Sequence, residues 1–395
     1  MTLTALAARA AALSPSPTLS ISARANAMKA EGIDVVSFGA GEPDFSTPEP
    51  ICDAAIAALK SGFTKYTPTG GSPDLKQAAA EKLWRENALK VDPSQIVVSC
   101  GAKHSIYNAM MVLVDPGDEV ILPSPYWMTY AEQVRLAGGI PVPVPSHAED
   151  GFVPDPDAIK AAVSPRTRAI MLNTPCNPTG AVFPRSLLKE IAALALRHGF
   201  WIISDEIYEK LIYDGEKHVS PASLGEDVAA QTVTVQGCSK SYAMTGWRIG
   251  FAAAPKPVAQ AMTNLQDQVT SNPTSFAQKG AIAALNMPPA EIEAMRVEFE
   301  ARRDLIVAKL REIPSVTVAN PKGAFYVMPD FRAYLGGKIK DDPALASFLL
   351  ENVHVAAVPG SVFGGDGHLR LSYATSRENI ERGVARIAEA LHGLG

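Results

Sequence analysis

Seven short β-rich runs between residues 96 and 254, most of them separated by helical stretches, constrain this chain more than any other feature. They read "IVVSC" (96–100), "DEVILP" (118–123), "IPVPVP" (140–145), "AIMLNT" (169–174), "WIISDE" (201–206), "TVTVQG" (232–237) and "IGFAAA" (249–254). An intervening segment such as "PRSLLKEIAALALRHG" is apolar at helical spacing and closed by a glycine. Strands alternating with helices predict an α/β fold, with a mostly parallel sheet covered on both faces. In such a sheet ligands bind beyond the carboxyl ends of the strands.

From about residue 290 the texture changes. A long charged helix, "PAEIEAMRVEFEARRDLIVAKLREI", leads into shorter strands and a closing helix, "ENIERGVARIAEALHGL". This predicts a second, smaller α+β domain joined through the long helix. A chain of 395 residues exceeds one ordinary core, which agrees with two domains.

Composition narrows the function classes. With 47% hydrophobic and 19% charged residues the chain is globular, and its net charge of -5 gives no electrostatic case for nucleic acid. Cys52, Cys100, Cys176 and Cys238 form no CxxC pair, and the seven histidines show no HxxH or HxxxH spacing. A metal site is therefore not expected, and the cysteines suit a reducing compartment. No apolar run is long enough to span a membrane. The Ala- and Ser-rich start has no acid before Glu31. It reads as an ordinary N-terminal arm, giving a cytoplasmic expectation, although the same composition resembles a weak transit peptide and leaves organelle targeting open.

Polar residues gather where the strands end. Asp205 closes "WIISDE" with Tyr208 three residues on, Asn173 and Asn177 sit in "LNTPCNPTG", and "VVSCGAKH" runs from a strand through a glycine into a helix start. Singly these have ordinary readings: an N-cap aspartate, a rigid turn, a solvated helix start. Lys240 in "QGCSKSYAMTGWRIG" is harder to explain so, because small and apolar residues surround it and the next charge is Arg248. Together these residues meet the needs of pyridoxal phosphate: a lysine for a Schiff base, an acid for the pyridine nitrogen, and backbone donors with a guanidinium for the phosphate. Burial beside a cationic anchor would lower the Lys240 pKa and make it a nucleophile.

The segment "GCSKSYAMTGWRIG" resembles the lysine segment of class I aminotransferases. "GAGEPDF", "KYTPTGG", "SPYW", "NTPCNPTG", "SDEIYE" and "LRLSYATS" follow that family's motifs in order, and the likeness runs from about Ser14 to the final helix. It implies an aspartate-aminotransferase-like fold (pyridoxal phosphate fold type I), with a seven-stranded large domain at 48–295. It further implies a small domain at 16–47 and 296–395, after an arm at 1–15. By this resemblance Lys240 forms the Schiff base and then shuttles a proton, and Asp205 pairs with the ring nitrogen. Tyr208 and Asn177 bond the phenolic oxygen, Trp127 stacks on the ring, and Ala102, Lys103, Ser239 and Arg248 surround the phosphate. Arg370 clamps the substrate α-carboxylate beside Gly41. The resemblance also implies a homodimer with shared sites, in which Tyr66, and Ser271 in "TSNPT", reach the partner's phosphate.

For substrate, "LQDQVTSNPT" lacks the arginine by which one branch of the family recognises dicarboxylates. A second branch uses a lysine at the position of Lys103, together with N-terminal hydroxyls, here Ser16 and Thr18. That resemblance implies aspartate with 2-oxoglutarate, and prephenate as a second substrate. The alternatives are an alanine or aromatic aminotransferase, or a lyase acting at Cβ. A regulator would need a helix-turn-helix domain that the short N-terminal arm does not provide, and a purely structural relative would not need Lys240, Asp205, Arg248 and Arg370 together.

Overall fold

The computed structural model describes residues 6–11, 13 and 17–393. Twelve strands occur among them: β1 (Val36–Ser37), β2 (Ile96–Ser99), β3 (Glu119–Ser124), β4 (Ile140–Pro145), β5 (Thr167–Asn173), β6 (Trp201–Asp205), β7 (Thr232–Gly237), β8 (Gly250–Ala253), β9 (Tyr326–Val327), β10 (Val355–Ala356), β11 (Val358–Pro359) and β12 (Leu369–Ser372). Seven of these, β2 to β8, form one sheet in the order β2-β8-β7-β6-β5-β3-β4, and all seven coincide with the runs read from the sequence.

The sheet follows from local chemistry. β3, β6 and β7 are nearly continuous apolar or β-branched runs with both faces buried, as a strand under two helical layers requires. β4, "IPVPVP", has a proline at every second position and so lacks half its backbone donors; it lies on an edge, where only one neighbour has to be bonded. The helix Arg185–His198 buries Leu187, Leu188, Ile191 and Ala195, and ends at Gly199 in the left-handed conformation that a glycine adopts without strain.

β8 is antiparallel to both its neighbours, β7 and β2, whereas the other pairs are parallel. This reversal decides where the site forms. The segment 238–249 leaves the carboxyl end of β7 and enters β8 at the same edge, so Lys240 stays at the edge where β5 and β6 end. Gly250 opens β8 opposite Ser99, and a Cβ there would lie 2.2 Å from the Ala102 nitrogen. Only glycine lets the two chain segments approach so closely.

Beyond the long helix Pro289–Arg311, β9, β11 and β12 form a small antiparallel sheet in the order β11-β12-β9, and the helix Arg377–His392 packs back on the long helix. β1 pairs in parallel with β10, tying the chain near residue 36 to its C-terminal part. No helix among the described residues is long and apolar enough to cross a membrane.

Candidate active site

A cleft with a volume of about 310 Å³ opens at the carboxyl edge of the large sheet, a size ordinary for a small-molecule site. Lys240, Asp205, Tyr208 and Asn177 line it, as do Ala102, Lys103, Ser239 and Arg248. Trp127, Gly41, Thr18 and Arg370 complete the expected residues that the fold brings together there. Their sequence positions span Thr18 to Arg370, so the cleft depends on sheet order and not on any single motif.

One wall is a preformed anion cradle. β2 runs through Gly101 into the helix Ala102–Leu113, whose first N–H groups have no intrahelical acceptor. Arg248 reaches the same turn, donating from Nη1 to the Thr245 carbonyl (2.8 Å) and from Nη2 to that of Cys100 (3.3 Å). Gly101 has φ +89°, and a Cβ there would lie 2.4 Å from Arg248 Nη2. Helix start and guanidinium thus face one point at a distance that no side chain on residue 101 would permit.

The floor is acidic and phenolic. Asp205, buried, accepts from the Tyr130 hydroxyl at Oδ2 (2.7 Å) and from the Ile207 N–H at Oδ1 (3.2 Å); no helix starts there, so the N-cap reading of this residue fails and the second bond closes a turn instead. Burial pushes its pKa up to about 6, against the lowering effect of the Tyr130 bond. Tyr208 shares a hydrogen bond with Tyr326 (3.0 Å), and burial raises both phenols above their usual range.

Lys240 Nζ donates to the Gly41 carbonyl at 2.5 Å. Burial, with Arg248 adding repulsion and Glu42 opposing it, brings the amine down to about 8. The neutral, nucleophilic form is therefore much more accessible near neutral pH than for an ordinary lysine, the direction expected from its surroundings. Lys103 stands 4.6 Å from the centre of the Trp127 ring at the mouth of the cleft.

Arg370, on β12, is 1% exposed. It donates from Nη1 to Asn177 Oδ1 (3.0 Å) and from Nη2 to the Gly39 carbonyl (3.1 Å), while Nε has no partner. A surface ion pair is thereby excluded as its role. A buried guanidinium with an unmet donor, facing a cleft, is matched to an anionic ligand.

Tyr66 does not join this cleft. It is 91% exposed, and neither it nor Ser271 lines the cleft of its own chain. Ser16 lies outside the described residues. Sequence reasoning missed Tyr130, Tyr326 and Thr245, which all line the cleft. Tyr130 lay three residues beyond Trp127, one helical turn on, but nothing local tied it to Asp205. Cys176 and Cys238 are buried, and burial raises their thiols to about 11 and about 12, which fits packing residues.

Behind the floor, Glu206, Glu209 and His218 place ligand-type atoms within 4.8 Å of one another. The protein supplies its own cation there: Lys82, 2% exposed, bonds Glu209, Asn87 Oδ1 (2.8 Å) and Gln236 Oε1 (2.5 Å). His218 and Ser220 donate to Glu206 at 2.9 and 2.8 Å.

Residues 33–387 match the family model for aminotransferases of class I and II. The chain is 51% identical over 394 residues to a probable aspartate/prephenate aminotransferase of Aquifex aeolicus, covering 98% of this chain and 99% of that protein. It is 50% identical over 384 residues to an aspartate aminotransferase of Geobacillus stearothermophilus, covering 97% and 98%. Among solved structures, the aspartate aminotransferase of Thermus thermophilus with maleate superposes with a TM-score of 0.94 at 43% identity, over 98% of this chain and 100% of that one.

Proposed function

Because this chain belongs to the class I and II aminotransferase family, we propose that it moves the amino group of L-aspartate to 2-oxoglutarate, using pyridoxal 5′-phosphate held at Lys240. The observation that carries this reading is the meeting of Lys240, Asp205 and Arg370 in one cleft. The residues present fit the cofactor: the Gly101 turn and Arg248 suit its phosphate, Asp205 its ring nitrogen, and the unmet donor of Arg370 a substrate carboxylate.

When bound, pyridoxal phosphate supplies an aldehyde that takes up the amino group and a protonated ring that withdraws electrons from the substrate Cα. The chain does the rest. Ala102, Lys103, Ser239 and Arg248 hold the phosphate, and Trp127 covers one ring face. Tyr208 and the Asn177 amide donate to the phenolic oxygen, and the Asp205 carboxylate keeps the ring nitrogen protonated. Arg370 binds the α-carboxylate through two parallel hydrogen bonds beside Gly41, fixing Cα for proton transfer. The Lys240 amine takes the proton from Cα and returns one to C4′ of the cofactor. One water would be consumed in freeing oxaloacetate, the amino group staying behind, and 2-oxoglutarate would give that water back as it takes up the amino group to become glutamate.

Lys103, with Thr18 and Ser16, receives the distal carboxylate as a point charge that needs no fork geometry. Support comes from the relative solved with maleate, a dicarboxylate, and from the position of Lys103 at the cleft mouth. Prephenate also carries two carboxylates and is the second substrate on this reading, in keeping with the relatives named for it. An aromatic aminotransferase of Pyrococcus horikoshii (40% identical, TM-score 0.88, covering 93% of this chain and 98% of that one) represents the alternative specificity.

The working unit is a homodimer in the cytoplasm, each subunit lending Tyr66 to its partner's phosphate; the exposure of Tyr66 and the four unpaired cysteines favour this. Residues 48–295 form the cofactor domain and 16–47 with 296–395 the domain that closes on the substrate; the β1–β10 pairing supports that division.

The test is a half-reaction. Cofactor-loaded protein given L-aspartate and no oxo acid should release one equivalent of oxaloacetate per site with a change in cofactor absorbance, and 2-oxoglutarate should restore the spectrum. Lys240→Ala should do neither. Release of ammonia with pyruvate would instead establish a lyase, and a spectrum indifferent to aspartate would move the specificity to alanine or aromatic substrates.

A further inference from the structure

The loop that exposes Tyr66 is unusually well anchored for a surface loop. It lies along β2, an edge strand of the large sheet: Val98 donates its N–H to the Gly70 carbonyl at 2.9 Å, which satisfies a donor the edge would otherwise leave open. Gly71 (φ +101°) passes so close that a Cβ would lie 2.5 Å from the Val98 side chain.

Two glutamines, both 0% exposed, complete the attachment. Gln278 accepts from the Ser72 N–H (2.8 Å) and donates to Thr67 Oγ1 (3.0 Å) and the Pro273 carbonyl (2.8 Å). Gln266 donates to the carbonyls of Thr69 (2.7 Å) and Val98 (2.8 Å), and accepts from Asn108 Nδ2 (3.0 Å). The Gln266 backbone carbonyl also receives the N–H groups of Thr270 (2.9 Å) and Ser271 (3.0 Å), and holds Ser271 at the end of its helix with φ +56°. Outside the core, Thr69 Oγ1 donates to Asp267 Oδ1 at 2.6 Å.

Burying a primary amide is unfavourable unless its donors and acceptor are met. Here two are buried, and each bonds backbone or side-chain groups of the loop at 67–72 directly after Tyr66. The Gln266 amide ties that loop to β2 and to Asn108, whereas the bonds to Thr270 and Ser271 come from its main-chain carbonyl, which any residue there would supply. A hydroxyl that must meet a phosphate in another chain gains nothing from the packing of its own cleft, so its position has to be fixed in advance by its own loop.

We propose that Gln266 and Gln278 are positioning residues that preset the Tyr66 loop for the partner subunit's cofactor phosphate. This rests on the shared-site dimer described above. It assigns the two glutamines to cofactor retention across the interface, not only to the stability of the fold that contains them.

The test measures the pyridoxal phosphate dissociation constant of the purified dimer, by fluorescence titration, for Tyr66→Phe, Gln266→Leu, Gln278→Leu, Asp267→Ala and each of the last three combined with Tyr66→Phe. Sedimentation checks that every variant is dimeric. Loss of a hydrogen bond to a charged group predicts a rise of about 10-fold or more for Tyr66→Phe; Gln266→Leu and Gln278→Leu, which act only through that hydroxyl, should give rises no larger than this, and Asp267→Ala a smaller one. The double variants should be no weaker than Tyr66→Phe alone, because a loop without its hydroxyl has nothing left to position.

Full additivity in the doubles, or unchanged affinity in Gln266→Leu, Gln278→Leu and Asp267→Ala while Tyr66→Phe weakens, would overturn the positioning role and leave the shared site standing. Unchanged affinity in Tyr66→Phe would remove the shared-site reading and this inference with it, without touching the assignment of Lys240. If a glutamine variant does not fold, Thr67→Val, which removes from the loop side the hydroxyl that Gln278 holds, decides the matter.

Discussion

Tyr130 donates its hydroxyl to Asp205 across 2.7 Å of cleft floor and 75 positions of sequence. This single bond tunes the carboxylate that, on the function proposed above, meets the cofactor nitrogen. Burial lifts Asp205 to about 6, and the Tyr130 bond holds it from rising further. In the free protein, affinity for pyridoxal phosphate should therefore strengthen as pH rises through about 6. In Tyr130→Phe the rise should come about 1–2 pH units later, since a hydrogen bond to a charged group is worth about 1.5–3 kcal/mol and one unit about 1.36 kcal/mol. A titration of affinity against pH that is the same in both proteins would rule the tuning out.

The same carboxylate should reveal a conflict between stability and function. Its pKa in the folded protein, about 6, lies above the ordinary 3.8, so the folded state binds the extra proton between those values. Its contribution is most favourable below 3.8 and is lost as pH rises through 6, a cost of about 3 kcal/mol at neutral pH. Cofactor-free Asp205→Asn should accordingly be more stable than wild type in urea at pH 8 and indistinguishable from it near pH 4, while binding cofactor far more weakly. Equal urea midpoints at pH 8 would contradict the burial argument.

Arg370→Lys keeps the charge but loses the planar fork. We expect the KM for aspartate to rise about 10-fold or more with the cofactor still bound, because the guanidinium bonds Asn177 and Gly39 and not the phosphate cradle. Loss of the cofactor from this variant would reassign the arginine.

Specificity should follow Lys103. Its amine sits over Trp127 at the cleft mouth, and burial with Arg248 repulsion lowers its pKa, so a second carboxylate would be a favourable neighbour. Lys103→Met should raise KM for aspartate by about 10-fold, the usual worth of one charge-assisted hydrogen bond, and leave that for alanine nearly unchanged. A parallel loss for both amino acids would show that Lys103 serves the phosphate alone.

The network behind the floor provides a stability test. Lys82→Met leaves Glu209 without the cation that holds its pKa low despite burial. Removing one partner of a buried pair costs about 3–5 kcal/mol. Glu209 is stabilising while ionised and loses that contribution as pH falls through its lowered pKa. The deficit relative to wild type, read from urea midpoints, should thus be large at pH 7 and shrink on acidification. A midpoint unchanged at pH 7 would mean the pair contributes no net stability.

What the sequence alone determined is local and short-range. Apolar runs of period and length suited to strands marked all seven strands of the large sheet. Burial on both faces leaves the inner strands little choice of residue, whereas β4, on the exposed edge, was marked by its alternation of proline with β-branched residues. Glycine and proline punctuated the strand ends, and the residues left there, Asp205, Asn177, Gly101 and Lys240, could be read as chemistry only as a set, since all but Lys240 have an ordinary reading alone. The resemblance of seven ordered motifs supplied the family.

The tertiary structure decided the pairings. Tyr130 reaches Asp205, Tyr208 meets Tyr326, and Arg370 bonds Asn177 across 193 positions, and none of these distances has a local signature. They follow from sheet order, from the antiparallel turn of β8 that keeps Lys240 at the carboxyl edge, and from the packing of β12 against the large domain. Each is the sum of many weak contacts spread over the whole chain. For Tyr66 the resemblance had already pointed to the partner's site; the fold adds that the side chain is exposed and lines no part of its own cleft.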